Sequence, residues 1–272
     1  MRRIAFASLK GGVGKTISAT ALAVCAAGRG RKVLFVDADA QSNASWILLG
    51  GHKAEPPTLA QVLLGEVEAE AAIRETATAG IDLLPADPAV NLANVALVQR
   101  HTGRDTRLRK AMAALDGAYD LVIIDTAPTL TTVLINVLAY ASEVIVPVDL
   151  GAFAVLGLME LEETVAEVAD ALNPGLRVVG LVLTRASRNN VCRELEAELR
   201  GRYGSRVYGP TIPLSAKVEE ACTRGTTVIT HAPRSAGAVA YEQLADEVLA
   251  DGRAEERGGF GAPGDDGEAD AA

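Results

Sequence analysis

Lys10-Gly11-Gly12-Val13-Gly14-Lys15-Thr16 is the stretch that decides the fold. It reads as a phosphate-binding loop with an added lysine, Lys10, at its entrance. The strict pattern G-x-x-x-x-G-K-[ST] puts a first glycine at position 9, where this chain has Leu9, so the loop is a variant. Upstream, Ile4-Ala5-Phe6-Ala7-Ser8 is a short apolar run suited to a buried strand. Downstream, Ser18 to Ala27 is alanine-rich and suits a helix. Strand, glycine loop and helix in that order are the context the motif needs.

The residue types match the chemistry. Gly11, Gly12 and Gly14 let main-chain N–H groups approach phosphate oxygens. The following helix aims its partly positive end at the same anion. Lys15 is expected to reach the β- and γ-phosphates, and Thr16 to offer its hydroxyl to Mg²⁺. The cofactors expected are therefore ATP or ADP and Mg²⁺.

Apolar runs recur outward from this loop, with helical stretches between them. Strands are expected at residues 3–8, 32–37, 81–84, 120–125, 143–148 and 177–184. Most are continuous Val, Ile and Leu, as in strands buried on both faces of a parallel sheet. Helices are expected at 13–27, 107–115, 130–141, 156–172, 191–203 and 236–250, with Leu156, Met159, Thr164, Val168 and Leu172 as one core stripe. Residues 52–109 are less regular, broken by Glu55-Pro56-Pro57, Pro85 and Pro88. The alternation predicts an α/β fold: a doubly wound, mostly parallel sheet with helices on both faces, and a ligand at the strands' carboxyl ends. The expected organisation is one domain over residues 1–250 and a disordered acidic tail over 251–272 rich in Gly, Asp and Ala.

Composition sets limits. The chain has 272 residues and is 49% hydrophobic but only 4% aromatic, so its core must be aliphatic. No apolar run approaches the roughly 18 residues of a membrane span. Met1-Arg2-Arg3 enters the first strand at once, leaving no room for a signal peptide. Cys25, Cys192 and Cys222 lack metal-ligand spacing and point to a reducing cytoplasm, with Cys25 as core packing. Of the net charge of −9, the tail from Asp251 carries −5.

Two further strands deliver carboxylates. Val33-Leu34-Phe35-Val36 runs into Asp37-Ala38-Asp39, where alternation sends one acid towards a neighbouring strand and lets the other face the nucleotide. Leu121-Val122-Ile123-Ile124 ends in Asp125, suited to a magnesium site directly or through water.

With these motifs in place, the sequence resembles the ParA/MinD family of deviant Walker ATPases, and most of all its ParA-type (Soj-like) partition members. Residues 10–16 match the family's signature-lysine loop. Residues 37–45 match its first switch segment, with Ala40 in place of the usual proline, and Asp125-Thr126-Ala127-Pro128 matches its second switch. Ile212-Pro213 and residues 220–241 resemble its carboxyl-terminal region, so the likeness spans about residues 2–249.

The resemblance implies a homodimer closed around two ATP molecules, with Lys10 of each subunit reaching the phosphates held by the other. Lys10, Asp39 and Lys15 are then the catalytic set, with Asp39 orienting the attacking water or sharing a Mg²⁺ role with Asp37. Gly11, Gly12, Val13, Gly14, Thr16 and Ile17 join Lys10 and Lys15 on the nucleotide, with Thr184, Arg185 and Pro213 at the adenine end. Thr16, Asp39 and Asp125 serve the metal. It also implies binding of non-specific DNA in the ATP state, nucleoid association, and a ParB-like or cargo-adaptor partner.

Residues 185–234 carry nine basic and five acidic side chains, a net of +4 in an acidic chain. Arg188, Arg206, Lys217 and Arg224 are the candidate DNA contacts. The alternative is a solvated helix with Arg and Glu paired at i, i+4. Leu214 stands where many relatives have a basic residue. Other readings are a ParA-like ATPase that positions a protein cargo and a MinD-like membrane-surface ATPase. The second lacks a basic amphipathic end here, since the chain closes on glycines and acids. An iron–sulfur reductase relative would need cysteines after the second switch, and none lies between Asp125 and Cys192. An amide-forming ligase would need a dedicated substrate pocket, and a scaffold with little turnover would not need Asp39 and Lys10.

Overall fold

A computed structural model of the chain describes residues 1–151, 154–187 and 189–250, with the side chains of 154–156 left aside. The acidic tail and Arg188 lie outside these residues. Seven strands form one sheet: β1 (Arg2–Phe6), β2 (Val33–Ala38), β3 (Arg74–Glu75), β4 (Ile81–Leu84), β5 (Leu121–Thr126), β6 (Glu143–Asp149) and β7 (Arg177–Thr184). Their order is β3-β4-β2-β5-β1-β6-β7, and every pairing is parallel except β3 with β4.

Alternation along each strand builds two aliphatic layers. Ala5, Leu34, Val36, Val122 and Ile124 face one side; Ile4, Phe6, Val33, Phe35 and Ile123 face the other. The helices are α1 (Lys15–Gly28), α2 (Asn43–Leu48), α3 (Leu59–Leu64), α4 (Ala69–Ala72), α5 (Ala89–Val98), α6 (Arg107–Ala111), α7 (Thr132–Tyr140), α8 (Ala154–Ala171), α9 (Asn190–Tyr203), α10 (Ala216–Thr223), α11 (Val228–His231) and α12 (Ala236–Leu249). Leu63, Leu97, Leu134, Leu161 and Leu199 bring α3, α5, α7, α8 and α9 onto the first layer. Leu22, Leu48, Val218, Val228 and Leu244 bring α1, α2, α10, α11 and α12 onto the second. Helices therefore cover both faces, as expected of a doubly wound sheet. Cys25 is buried in α1 with the second layer.

Several boundaries move for local reasons. The first helix starts at Lys15, two residues later than the sequence suggests, because Gly14 at φ 86° is left-handed. The seventh starts at Thr132 because the Thr131 side chain accepts a hydrogen bond from the Leu134 N–H (3.2 Å) and caps it. The irregular stretch 52–109 folds as α3 to α5 with β3 and β4. There Thr58 and Gln61 close a capping box at the start of α3. The expected core stripe of α8 is kept only in part. Leu158, Leu161, Val165 and Val168 line the core with Thr164, whereas Met159 is exposed and Leu172 lies past the helix end. Thr164 and Val168 hold their expected places and half-buried Leu172 packs against the same core, so the difference lies in Leu158, Leu161 and Val165 replacing Met159. The side chain of Leu156 lies outside the described residues.

The chain leaves β1 for β2 on one side and later passes from β5 to β6 on the other, so β1 marks the switch point. The carboxyl ends of β1, β2 and β5 meet there, in register at Phe6 with Asp125 and at Asp37 with Asp125.

Candidate active site

A cleft of about 520 Å³ opens over this switch point. It is lined by the loop from Gly12 to Thr16, by Ile17 in the first turn of α1, by Asp39 and Pro128, and by Thr184, Arg185 and Pro213. Gly12 (φ 74°) and Gly14 (φ 86°) hold left-handed backbone, which a side chain there would strain. The Thr184 hydroxyl donates to the Val13 carbonyl (2.8 Å), so this residue braces the loop from β7. Arg185 is exposed beside it with a left-handed φ of 54°.

The charged groups are arranged unequally. Lys15 is buried and its Nζ donates to the Lys10 carbonyl (3.3 Å) across the loop. Burial lowers its pKa, while Asp125 and Asp39 nearby pull it back up. Asp37 is fully buried and saturated. Its Oδ1 accepts from the Asp39 N–H (3.1 Å), and its Oδ2 from the Ser45 N–H (2.8 Å) and hydroxyl (2.7 Å). Burial still pushes its pKa up to about 6, against those bonds. Ser45 Oγ in turn accepts from the Ala86 N–H (3.0 Å). Asp37 thus ties both ends of the loop that carries Asp39, and it is Asp39 that faces the cleft.

Asp125 is the odd member. It is fully buried, and neither carboxylate oxygen has a hydrogen-bond partner. Burial, then the Asp37 charge, raises its pKa well above the carboxylate range; Thr16 and Lys15 act against that shift, without Thr16 closing a hydrogen bond of normal geometry. A buried carboxylate with no donor is costly, and a cation beside it removes the cost. Thr16, Asp39 and Asp125 therefore suit a hard, oxygen-liganded ion. Among the described residues no three acidic, His or Cys side chains close on a metal by themselves.

Lys10 and Gly11 are not part of the cleft lining. The Lys10 Nζ sits 3.3 Å from Asp149 Oδ2 at the end of β6, and Gly11 lies near Pro128. Gln41 and Asn43 of the matched switch segment and Leu214 also line the cleft, as do Trp46, Cys222 and Tyr241, which no sequence motif marks. Tyr241 of α12 meets Ser18 of α1 through their hydroxyls (3.3 Å), below the loop.

The basic candidates are spread over α9, α10 and their ends. Arg206 is half-buried in the turn after α9; Lys217 is exposed and paired with Glu220 Oε2 (2.8 Å); Arg224 is exposed after α10. Arg188 lies outside the described residues. Arg200 serves the fold, binding Glu196 at i, i+4, the carbonyls of Tyr208 and Gly209, and Thr211.

A mostly parallel sheet with a glycine loop at its switch point, a buried lysine and two strand-end aspartates defines a P-loop nucleoside-triphosphatase. Comparison with known proteins narrows the class. Residues 1–178 match the AAA domain family AAA_31. The chain is 41% identical over 251 residues to the chromosome-partitioning ATPase Soj of Thermus thermophilus, covering 92% of this chain and 96% of that protein. It is 37% identical over 252 residues to the chromosome partitioning protein ParA of Caulobacter vibrioides, covering 92% and 94%. Among solved structures, cobyrinic acid a,c-diamide synthase from Mycobacterium smegmatis with bound ATP analogue and magnesium superposes with a TM-score of 0.79 at 34% identity, covering 92% and 94%. The chain belongs to the ParA/MinD family of P-loop ATPases.

Proposed function

We propose that this chain is a partition ATPase that hydrolyses ATP slowly as a dimer, holds non-specific DNA in its ATP state, and moves a DNA or protein cargo through an adaptor of the ParB kind. The observation that carries the catalytic part is the unpartnered, fully buried Asp125 carboxylate beside Thr16 and Lys15, which line the cleft together with Asp39.

In this reading the N–H groups of residues 12–16 and the Lys15 ammonium hold the triphosphate. Thr16, Asp39 and Asp125 would hold Mg²⁺, which neutralises charge on the phosphoryl oxygens. Asp39 orients the attacking water, kept in place by Asp37 and Ser45. Lys10 acts across the dimer on the other subunit's phosphates, as a cation placed where charge develops. Its in-chain pairing with Asp149 suits this: the contact parks the amine off its own cleft until a second subunit offers a stronger anion.

DNA would lie along Arg206, Lys217 and Arg224, and nucleoid association follows from that contact. No helix among the described residues is long and apolar enough to cross a membrane. The relatives named for chromosome partitioning support the cargo reading. The name of the M. smegmatis neighbour favours a second reading, an amide-forming ligase. Retention of a random-sequence duplex, measured with ATP, ADP and no nucleotide over a salt series, separates them. A partition ATPase retains DNA with ATP only, with affinity falling steeply as salt rises. Absence of retention at any salt, with ATP turnover that needs a carboxylic acid and an amine donor, would overturn the reading.

A further inference from the structure

The lining of the cleft is of two chemical kinds. One is the phosphate loop with Lys15, Thr16 and Asp39. The other, where α2 meets α10, is mainly apolar: Ile212, Pro213, Leu214, Val218, Cys222 and Trp46, with Ser215 and Glu219 among them. Charge fixes the orientation of a nucleotide in such a cleft: the triphosphate must take the cationic loop, leaving the mainly apolar lining for the base. Trp46 is the chain's single tryptophan and belongs to α2, which begins four residues after Asp39.

Its indole is held, although 38% of the residue is exposed. Nε1 donates to the Cys222 carbonyl at the end of α10 (3.1 Å). Just beyond, the loops after the two helices meet backbone to backbone: a Cβ on Gly225 would lie 2.2 Å from the Gly51 nitrogen and 2.4 Å from its Cα. Gly51 N also donates to the Trp46 carbonyl (2.9 Å). A large apolar ring is thus kept open to a ligand cleft by a hydrogen bond at its edge and a packed junction behind it. Exposed indole surface of this kind is unfavourable until something covers it.

We propose that Trp46 is a base-contacting residue, an aromatic wall for the purine that fixes the nucleotide's far end against the α2–α10 junction. The assignment rests on the ATP-site reading and adds a contact that the glycine loop alone does not predict. Because α2 directly continues the loop that carries Asp39, the base and the γ-phosphate then grip one segment from its two ends.

The test uses the full chain with Mg²⁺. Emission from the single tryptophan is followed while ATP or inorganic tripolyphosphate is added, and binding of each is measured separately by calorimetry. The expected result is a saturable emission change with ATP that follows calorimetric occupancy, and none with tripolyphosphate even where it binds. W46A is expected to weaken ATP at least about 5-fold, the lower end for loss of one base–aromatic stack, and to leave tripolyphosphate affinity unchanged. W46F keeps a ring without the Nε1 donor and is expected to retain most of the ATP affinity. ATP binding with no emission change, or W46A binding both ligands as the parent does, overturns the proposal. If neither ligand binds the parent, the ATP-site reading fails first. If W46A does not fold, the parent emission data and W46F decide alone.

Discussion

Replacing Asp125 by asparagine is expected to stabilise the nucleotide-free chain while removing its response to magnesium. The carboxylate is fully buried, has no hydrogen-bond partner, and lies in register with the equally buried Asp37 on the adjacent strand. Its raised pKa says that the folded chain holds the charge at a cost. An unsatisfied buried amide still costs roughly 1–3 kcal/mol, but a charged group costs more, so removing the charge is worth on the order of 1–3 kcal/mol. At roughly 2–4 °C per kcal/mol for a chain of this size class, Asp125→Asn should melt about 2–12 °C higher in EDTA at neutral pH. Saturating Mg-ATP should raise the parent's melting temperature, since a ligand at about 100 times its Kd adds roughly 2.7 kcal/mol. In the variant the magnesium-dependent part of that rise should vanish. Scanning fluorimetry or calorimetry in EDTA, Mg²⁺, ATP-EDTA and Mg-ATP reads all four states. A variant less stable than the parent in EDTA, or one with an intact magnesium response, refutes the reasoning.

Other outcomes follow from the same structure. Asp39→Ala should keep ATP binding and lose hydrolysis, because Asp39 borders the cleft without holding the phosphate loop; turnover equal to the parent's in a phosphate-release assay would remove it from the mechanism. Arg2→Ala should destabilise the chain by about 3 kcal/mol, the low end for stranding a buried partner, since Arg2 binds both oxygens of the buried Glu143 (3.0 and 2.7 Å) and the Val248 carbonyl. Chemical denaturation checks it, with Glu143→Gln as the milder control. Asp37 sits up to about 6 from an ordinary value of 3.8, so its stabilising proton is fully present below about pH 4 and is lost as pH rises through about 6. The melting temperature of Asp37→Asn should therefore fall less than the parent's between pH 4 and 7, and parallel profiles would contradict the shift.

Much of this architecture was legible in the sequence because its strands carry little else than Val, Ile and Leu. The six long strands needed only that pattern. Alternation showed that one of Asp37 and Asp39 turns inward and the other outward, and the structure buries Asp37 and gives the cleft Asp39. What escaped depends on tertiary partners. The edge strand Arg74–Glu75 is two polar residues whose extended form exists only against β4. The helix Ala89–Val98 leaves Leu92, Val95 and Val98 exposed, so no polar face marked it, although Pro88 at its start was a usable signal. In the site, the glycine loop announced itself through backbone chemistry that any such cleft requires. Trp46, Cys222 and Tyr241 reach the cleft from three separate helices, and nothing local in the chain ties them together. Thr184 was readable as a cleft residue but not as the brace of the Val13 carbonyl, which only the packing of β7 reveals.

Titration calorimetry of Mg-ATP into the parent and into Lys15→Ala decides whether the buried ammonium holds the triphosphate. Saturable binding is expected for the parent, weakened when Mg²⁺ is chelated, and no measurable binding once the ammonium is gone. Equal affinity in the two proteins would contradict it.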